Sequence, residues 1–456
     1  MRVNKILLSA LGLVLGIAGS ASAQWLQFNH DAQHSGFLPA VQGQNLDTIR
    51  FSKLYDTLAL GTGSLLIHYD VPKVDDAGNV YIVLRDPGAG EPTYSVEKLD
   101  SSGTHLWTYT SDYRFTTGGG WEASFSFVIG NGQVYVAGRY GVLHVISPDD
   151  GSALYDITSY EIPDPIPPGL ATGVVVSGPP AIDAAGTLYY VVRSSFADVA
   201  SHLVKVTVDD AISTVNYRDL TGESNERPGL NAGPAIAADG TIYVGSVRGS
   251  SSFSRLLAVN PDLTLKWIGN MAADPAHVAQ IIDQSTSNPV VGPDGRVFYG
   301  GWNTNEQSDG YLYSFDPADG SFLGQFPFGW DTTPGIYPDP DGDPTHYHLI
   351  EKKNMYNSRR YYLVSINPNG MTEEWAWELP TAGRELCVNA VVIDSSGTSY
   401  FLGEDGYFYR VEFGGENWSR IMLGQPRDAA YTPAAMGPDG TVYALDDRSF
   451  FIIGNQ

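Results

Sequence analysis

Short apolar runs separated by polar turns repeat along nearly the whole chain. The commonest phrase is a glycine, any residue, an apolar or small residue and an aromatic residue, and its seven copies begin at Gly78, Gly132, Gly186, Gly240, Gly295, Gly397 and Gly440. The first five glycines are 54, 54, 54 and 55 residues apart, and a degenerate copy at Gly342 makes eight units. A fixed period of this size is typical of a repeat architecture.

The unit around Gly240 shows how one repeat is built. Residues 234–237 form a short apolar run, and Asp239-Gly240 has the composition of a tight hairpin turn. Residues 242–244, 256–259 and 265–268 predict three further strands, the first two of them apolar on both faces. Such strands need cover on both sides of the sheet. Four-stranded sheets packed face to face around an axis provide that cover, which predicts the blades of a β-propeller.

We therefore predict an all-β protein with a single domain over residues 24–456, an eight-bladed β-propeller of four-stranded blades. The last unit ends at residues 450–453, a third strand with no fourth strand after it. Residues 46–55 are the candidate for the missing strand, and their pairing with the final blade would close the ring and remove two sheet edges. Seven blades are the alternative, because the sixth unit is weak.

The first 23 residues have the pattern of a secretory signal peptide. Arg2 and Lys5 form a basic start, residues 6–18 an apolar stretch, and Ala23 ends a small-residue cleavage site before Gln24. We expect export to the periplasm or release from the cell. Because no cysteine follows the cleavage site at once, we expect neither a lipid anchor nor membrane insertion.

The chain is strongly acidic, with a formal net charge of −25 at pH 7. Such a surface repels nucleic acid and anionic lipid, so nucleic acid is not an expected partner. The single cysteine, Cys387, excludes an internal disulfide.

Several phrases resemble the pyrroloquinoline-quinone-like (PQQ-like) β-propeller repeat. They are residues 292–298 (Gly-Pro-Asp-Gly-Arg-Val-Phe), residues 258–261 (Ala-Val-Asn-Pro), and the opening, residues 25–28 followed by Asp31 and residues 34–36. The resemblance covers nearly the whole chain after the signal peptide. It implies the fold and leaves the activity open, because the family includes quinone enzymes as well as binding and assembly proteins.

The resemblance implies residues that can be looked for. The quinoprotein alcohol dehydrogenases typically carry an adjacent cysteine pair against the quinone, a calcium ion held by acidic and amide side chains, and an aspartate as base. This chain has one cysteine, and no motif in it matches that constellation. We therefore expect no cofactor, and PQQ in particular is not expected. The non-catalytic branch includes the outer-membrane assembly propeller, a protein-binding scaffold, from which this chain differs by lacking the lipoprotein cysteine.

Candidate binding residues lie where the second strands end, at one mouth of the predicted channel. Four arginines follow the aromatic positions of the first four units, and tryptophans and a carboxylate belong to the same mouth: Arg85, Arg139, Arg193, Arg248, Trp302, Trp121 and Glu122. Arginine binds carboxylate, sulfate or phosphate through paired donors, which indicates an anionic ligand or an acidic partner loop. The alternatives are that each arginine pairs with a neighbouring acid such as Asp86 or Asp198, or that the aromatic and charged groups bind a glycan.

The sixth unit contains aspartates at alternate positions, Asp339, Asp341 and Asp343. Oxygen ligands in this pattern can surround a calcium ion. The run departs from the helix–loop–helix calcium motif, since Pro344 and Ile350 occupy the positions of its glycine and its closing glutamate. An elaborated hairpin turn is the preferred interpretation, with calcium as the alternative.

The function we expect is that of an exported binding scaffold that engages a protein or an extracellular polymer, such as a glycan, at the channel mouth, without catalysis. The alternative is a secreted enzyme, either a PQQ-dependent oxidoreductase or a carbohydrate-active hydrolase or lyase. Buried, convergent carboxylates with a metal would favour the enzyme, and an open rim would favour binding. A third class is a structural component of the cell envelope.

Overall fold

The structure, a computed structural model, describes residues 24–57, 70–87, 92–114, 125–160, 173–196, 199–223, 226–248, 254–271, 279–280, 287–303, 310–327, 333–355, 360–381, 390–403, 405–424, 434–446 and 448–455. The signal peptide predicted for residues 1–23 lies outside them. Among the described residues, no helix combines the length and apolar character needed to cross a bilayer.

Eight antiparallel sheets of four strands form a propeller, as the repeat predicts. Each blade runs from an inner strand at the channel to an outer strand at the rim. The strands of blades 1 to 3 are, in that order, Lys73–Val74, Val80–Pro87, Pro92–Leu99 and His105–Ser111; Phe127–Gly130, Gln133–Ala137, Leu143–Ile146 and Ala153–Ile157; and Val174–Ile182, Leu188–Ser194, His202–Val206 and Ile212–Asn216.

Blades 4 and 5 have an inner strand in two pieces, both paired with the second strand. Their strands are Glu226–Arg227 with Ala235–Ile236, Ile242–Arg248, Ser254–Val259 and Leu265–Asn270; and Ala279–Gln280 with Val290–Val291, Val297–Asn303, Gly310–Phe315 and Phe322–Pro327. A short helix, Tyr217–Thr221, joins blades 3 and 4, and a single 3₁₀ turn, Arg139–Gly141, lies within blade 2.

Blades 6 and 7 return to the simple plan, and blade 8 closes the ring. Their strands are Gly335–Pro338, Tyr347–Met355, Arg360–Asn367 and Thr372–Glu378; Val392–Ile393, Ser399–Leu402, Tyr407–Val411 and Trp418–Met422; and Ala435–Met436, Val442–Leu445 and Ser449–Gly454, with Thr48–Leu54 as the outer strand of blade 8. Thr48–Leu54 pairs antiparallel with Ser449–Gly454. Both the eight blades and the N-terminal closing strand are confirmed.

The aromatic residue is buried in all seven repeats that carry it. The positions concerned are Tyr81, Tyr135, Tyr189, Tyr243, Phe298, Tyr400 and Tyr443. Tryptophans in outer strands link blades: Trp107 Nε1 donates to the carbonyl oxygen of Pro148 at 3.0 Å, and Trp267 Nε1 donates to that of Pro317 at 2.9 Å. The core is therefore a ring of sheet-on-sheet contacts around the axis.

The propeller has two different ends. At the turn end, inner strands pass into second strands through tight turns such as the one at Gly240, where a backbone φ of 83° suits glycine. Third and outer strands are joined at the same end. At the loop end, the opposite one, second strands such as Val80–Pro87 finish and the connections between blades begin. The predicted arginines belong to the loop end.

Candidate functional site

The chain before the closing strand runs around the channel at the turn end and bonds to one blade after another. We call residues 25–38 the inner segment. Seven blades donate the same inner-strand amide to it: Val74 to Trp25 O, Ile129 to Leu26 O, Ile182 to Gln27 Oε1, Ile236 to Ala32 O, Val291 to Gln33 O, Ile336 to Ser35 O and Ile393 to Gly36 O, at 2.7 to 3.1 Å. In each of these seven blades, one amide on the free edge of the inner strand thereby gains a hydrogen-bond acceptor.

Large side chains fix the inner segment in place. Trp25, Phe28, His34 and Leu38 are each at most 5% exposed. His34 donates from Nδ1 to the carbonyl oxygen of Pro289 at 2.8 Å, and burial lowers its pKa to about 4, against the smaller opposing effects of that bond and of Asp31. The inner segment is therefore packed into the propeller against the inner strands.

A pocket of about 540 Å³ lies between the inner segment and the turns of blades 4, 5 and 6. Ligand sites in proteins commonly have volumes of about 300–1,000 Å³ and mostly apolar walls. The apolar lining includes Phe37, Pro39, Tyr243, Val291, Pro293, Pro317, Ile336 and Pro338. The polar lining is supplied by His30, Asp31, Gln33, Ser35, Asp239 and Asp294. The pocket thus combines a proline-rich wall with carboxylates.

Asp31 organises the polar side of the pocket. Its Oδ1 accepts the amides of Gln33 (3.1 Å) and Ser35 (2.9 Å), and its Oδ2 lies 3.3 Å from Nδ1 of His30. Partial burial opposes ionisation of this carboxyl, but the bonds from His30 and Ser35 outweigh it and hold the pKa of Asp31 below its usual range. Asp31 is therefore a carboxylate at neutral pH.

The other two aspartates belong to the turns of blades 4 and 5. Asp239 Oδ1 accepts the amide of Thr241 at 2.9 Å, and its Oδ2 lies 3.4 Å from Lys266 Nζ. Burial tends to raise the pKa of Asp239, but these two partners lower it. Asp294 accepts from Arg296 Nε at 3.0 Å and from the Tyr347 hydroxyl at 2.8 Å.

The arginines predicted as an anion site have separate partners at the loop end. Arg85 is 5% exposed, and its Nη1 lies 3.2 Å from Oδ2 of Asp56, which is fully buried. Of the two acids suggested by sequence, Asp86 accepts from the Thr57 hydroxyl at 2.8 Å, and Asp198 lies outside the described residues. Arg193 Nη1 donates to the carbonyl oxygen of Pro228 at 3.0 Å.

Arg139 lies in the 3₁₀ turn of blade 2. Its amide donates to Asp112 Oδ1 at 2.8 Å, and its guanidinium lies 5.6 Å from the ring centre of Tyr140. Trp121 and Glu122 lie outside the described residues, as do the side chains of Arg248 and Trp302. A shared anion site of these residues stays a prediction.

The aspartates of the sixth unit lie in the turn between the first two strands of blade 6. Oδ1 of Asp339 lies 3.1 Å from His348 Nε2, Oδ2 of Asp341 lies 2.6 Å from His346 Nδ1, and Asp343 accepts the Thr345 amide at 2.9 Å. These bonds are those of an elaborated hairpin turn. Within the described ranges, no three or more His, Cys, Asp or Glu side chains are placed to hold a metal ion. A calcium site at this turn stays a prediction.

The quinoprotein alcohol dehydrogenases, which the resemblance raises, typically carry an adjacent cysteine pair against the quinone. The adjacent cysteine pair cannot form from one cysteine, Cys387, which itself lies outside the described residues. At the turn end, the channel holds the buried Trp25, Phe28 and Leu38 of the chain itself. The absence of a bound quinone therefore stays a prediction.

Comparisons with known proteins agree on the fold. No protein-family model matches the sequence, and no curated protein matches it. Among solved structures, similarity extends to a quinohemoprotein alcohol dehydrogenase from Comamonas testosteroni, with a TM-score of 0.63 and 12% identity over 96% of this chain and 81% of that one. The protein has the fold of the PQQ-like β-propellers.

Two further structures show the same relationship. A europium-containing methanol dehydrogenase is similar with a TM-score of 0.60 and 11% identity, over 93% of this chain and 89% of that one. BamB from Moraxella catarrhalis is similar with a TM-score of 0.50 and 14% identity, over 82% of this chain and 98% of that one. Identities this low carry the fold and leave the activity open.

The pocket and the inner segment were not found by sequence reasoning. The apolar residues Trp25, Phe28 and Leu38, placed in a polar stretch ahead of the first repeat, were the available signal. The pocket itself arises from three turns and one segment that are far apart in sequence, and no local pattern records that arrangement.

Proposed function

We propose that the protein is an exported β-propeller that binds a partner protein and performs no chemistry of its own. The observation that carries the proposal is the pocket at the turn end, framed by the inner segment and the turns of three blades. A pocket with apolar walls and a few polar groups fixed by hydrogen bonds is suited to recognition.

Further observations support binding. Bonds from Ile236, Val291 and Ile336 hold the inner segment against blades 4, 5 and 6, so the pocket is formed before a partner arrives. A preformed site lowers the entropy cost of association. One of the similar structures is BamB, and the sequence resemblance points to a family that includes a protein-binding assembly propeller.

The competing proposal is a secreted oxidoreductase. It is supported by the similarity to two alcohol-oxidising enzymes, a methanol dehydrogenase and an alcohol dehydrogenase. The missing cysteine pair counts against it. Incubation of the purified protein with PQQ and calcium, followed by an assay of dye reduction with primary alcohols, separates the two proposals, since a binding scaffold gives no turnover.

Photo-crosslinking in the native cell tests the binding function directly. A benzoylphenylalanine placed at the exposed Ala318, beside the pocket-lining Pro317, reports on the turn end without filling the pocket, and one placed at the exposed Asp86 reports on the loop end. We expect one protein to be recovered in near-stoichiometric yield from at least one of these positions. Recovery of the propeller alone would overturn the proposal, and recovery of crosslinked carbohydrate without protein would replace the protein partner with a polymer.

A further inference from the structure

We propose that the turn-end pocket receives an arginine or lysine side chain from an extended segment of the partner protein. This inference rests on the proposed binding function and gives it a site and a ligand chemistry. It places the recognition surface at the end of the propeller opposite to the arginines.

The charged groups that line the pocket define its preference. Three aspartates, Asp31, Asp239 and Asp294, line it together with His30, and the described part of the lining contains no lysine or arginine. Lys266 and Arg296 approach Asp239 and Asp294 from outside the lining. A cation that enters the pocket therefore meets carboxylates, whereas an anion meets repulsion from the same groups.

Asp239 is the carboxylate most accessible to a ligand. Its side chain is 63% exposed, and its contact with Lys266 Nζ is long, at 3.4 Å. By contrast, Asp294 is 10% exposed and bonds to Arg296 and Tyr347 at 3.0 Å or less. We assign the direct contact with the incoming cation to Asp239, with Asp31 and Asp294 contributing their charge.

The apolar lining explains why a long basic side chain fits better than a bare ammonium ion. Phe37, Pro293 and Pro317 offer apolar surface beside the carboxylates. Arginine and lysine bury their aliphatic stems on such surface while the charged head reaches a polar group. A volume of about 540 Å³ also leaves room for the neighbouring residues of the partner chain.

The whole-molecule charge favours the same partner. A net charge of −25 attracts basic segments over a distance and raises the rate of encounter. Salt screens this attraction, because the Debye length falls from about 10 Å at 0.1 M to about 3 Å at 1 M. Binding should therefore weaken as salt increases.

The test uses a fluorescein-labelled nine-residue peptide in which two arginines alternate with leucine and valine. The control peptide carries citrulline at both arginine positions and so keeps the shape without the charge. Fluorescence anisotropy with the protein lacking residues 1–23, the predicted signal peptide, should show binding of the arginine peptide. Binding of the citrulline peptide should be at least about tenfold weaker. Equal affinity for the two peptides would overturn the proposal.

Matched variants locate the binding. Ala238 is exposed and lines the pocket, so Ala238→Trp should fill the pocket and abolish peptide binding. Ala184→Trp, at the same turn position of blade 3 and outside the pocket lining, should leave binding unchanged. Undiminished binding by Ala238→Trp would overturn the assignment to this pocket.

A second pair of variants tests the charge without changing the turn. Asp239→Asn keeps an oxygen for the Thr241 amide and should weaken binding about fivefold to tenfold. Asp439→Asn removes the equivalent carboxylate of blade 8, which accepts the Thr441 amide at 3.0 Å, and should have no such effect. An equal loss of peptide affinity in both variants would show that only the net charge of the protein matters, and it would overturn a specific site.

Competition identifies the source of the cation. If free arginine or spermidine displaces the peptide at micromolar concentration, the pocket is a site for small cations and a protein source is overturned. The crosslinking result stays separate: a partner captured elsewhere on the propeller would support the binding function while this pocket assignment fails.

Discussion

Trp25 and Val74 exchange two backbone hydrogen bonds, 2.9 Å from Trp25 N to Val74 O and 2.8 Å from Val74 N to Trp25 O. Val74 ends the inner strand of blade 1, and the indole of Trp25 is fully buried. The pair anchors the inner segment at its start. The hydrogen bonds to the other blades follow in chain order, so the inner segment connects seven blades in turn.

We expect Trp25→Ala to destabilise the protein by about 3–5 kcal/mol, because it removes a fully buried indole and leaves a cavity beneath the inner segment. Urea unfolding gives the free energy, and limited proteolysis reports whether the segment is released. Trp418→Ala is the control, since Trp418 is 43% exposed on an outer strand and should cost about 1 kcal/mol. Similar losses in the two variants would contradict the anchoring role.

The blades could be predicted because the local sequence pattern of each repeat indicates its own strands. The tight turn, the aromatic position and the period are local, and they recur often enough to show the register of each sheet. The closing strand followed from a count of strands, since the last unit lacks its fourth. Residues 46–55 contain the observed strand Thr48–Leu54.

The sixth repeat was weak for a physical reason. In blade 5, Val290 of the inner strand pairs with the aromatic Phe298, whereas in blade 6 the equivalent Gly335 pairs with Ile350. The longer turn that carries Asp339, Asp341 and Asp343 moves the paired residue along the chain. The blade is therefore regular in structure, although its sequence phrase is not.

The inner segment and pocket could not be predicted in the same way. The segment is held largely by carbonyl oxygens of its backbone, which any residue supplies, so the bonds leave little mark in the sequence. The arginine positions were recognised by their spacing, but spacing cannot report that Asp56, 29 residues before Arg85, is its partner.

Asp70 and Lys73 form a buried ion pair where blade 1 meets blade 2. Their exposed fractions are 2% and 0%. Asp70 Oδ2 accepts the amide of Phe127 at 3.0 Å, and Lys73 Nζ lies 4.2 Å from the centre of the Phe127 ring. Burial raises the pKa of Asp70 and lowers that of Lys73, and the attraction between the two opposes both shifts.

We expect Asp70→Asn and Lys73→Met to cost about 3–5 kcal/mol each, because either change leaves the other charge buried without its partner. The double variant should cost clearly less than the sum, since neither charge then remains. A double-mutant cycle by urea unfolding measures this coupling. Additive losses would contradict a coupled pair.

His34 predicts a pH dependence of stability. Burial lowers its folded pKa to about 4 from an ordinary value of 6.5, so the unfolded chain binds a proton at a pH where the folded protein does not. The neutral His34 ring therefore contributes about 3 kcal/mol to the free energy of unfolding. This contribution is fully present above about pH 6.5 and is lost as the pH falls towards 4.

His34→Gln keeps a donor for the carbonyl oxygen of Pro289 but cannot take up this proton. We expect the unfolding free energy of the variant to fall less than that of the wild type between pH 7.5 and pH 4.5. Carboxylates titrate alike in both proteins, so the difference isolates the imidazole. Parallel pH profiles would show that the ring is not held neutral.

Among the arginines at the loop end, we expect Arg85 to stabilise the fold, whereas Arg139 and Arg193 are candidates for ligand binding. Arg85→Met should destabilise the protein by about 3 kcal/mol, because the fully buried Asp56 then loses the positive charge of Arg85. The double variant Arg139→Ala with Arg193→Ala should leave the melting temperature of the free protein almost unchanged, since neither side chain is fully buried.

If these two arginines bind an anion, inorganic phosphate should raise the melting temperature of the wild type and not of the double variant. Lys266→Ala, at the turn end, is the control for lost positive charge and should retain the effect of phosphate. Stabilisation of all three proteins alike would show that phosphate acts through general screening. A large loss of stability in the phosphate-free double variant would instead assign the two arginines to the architecture, as for Arg85.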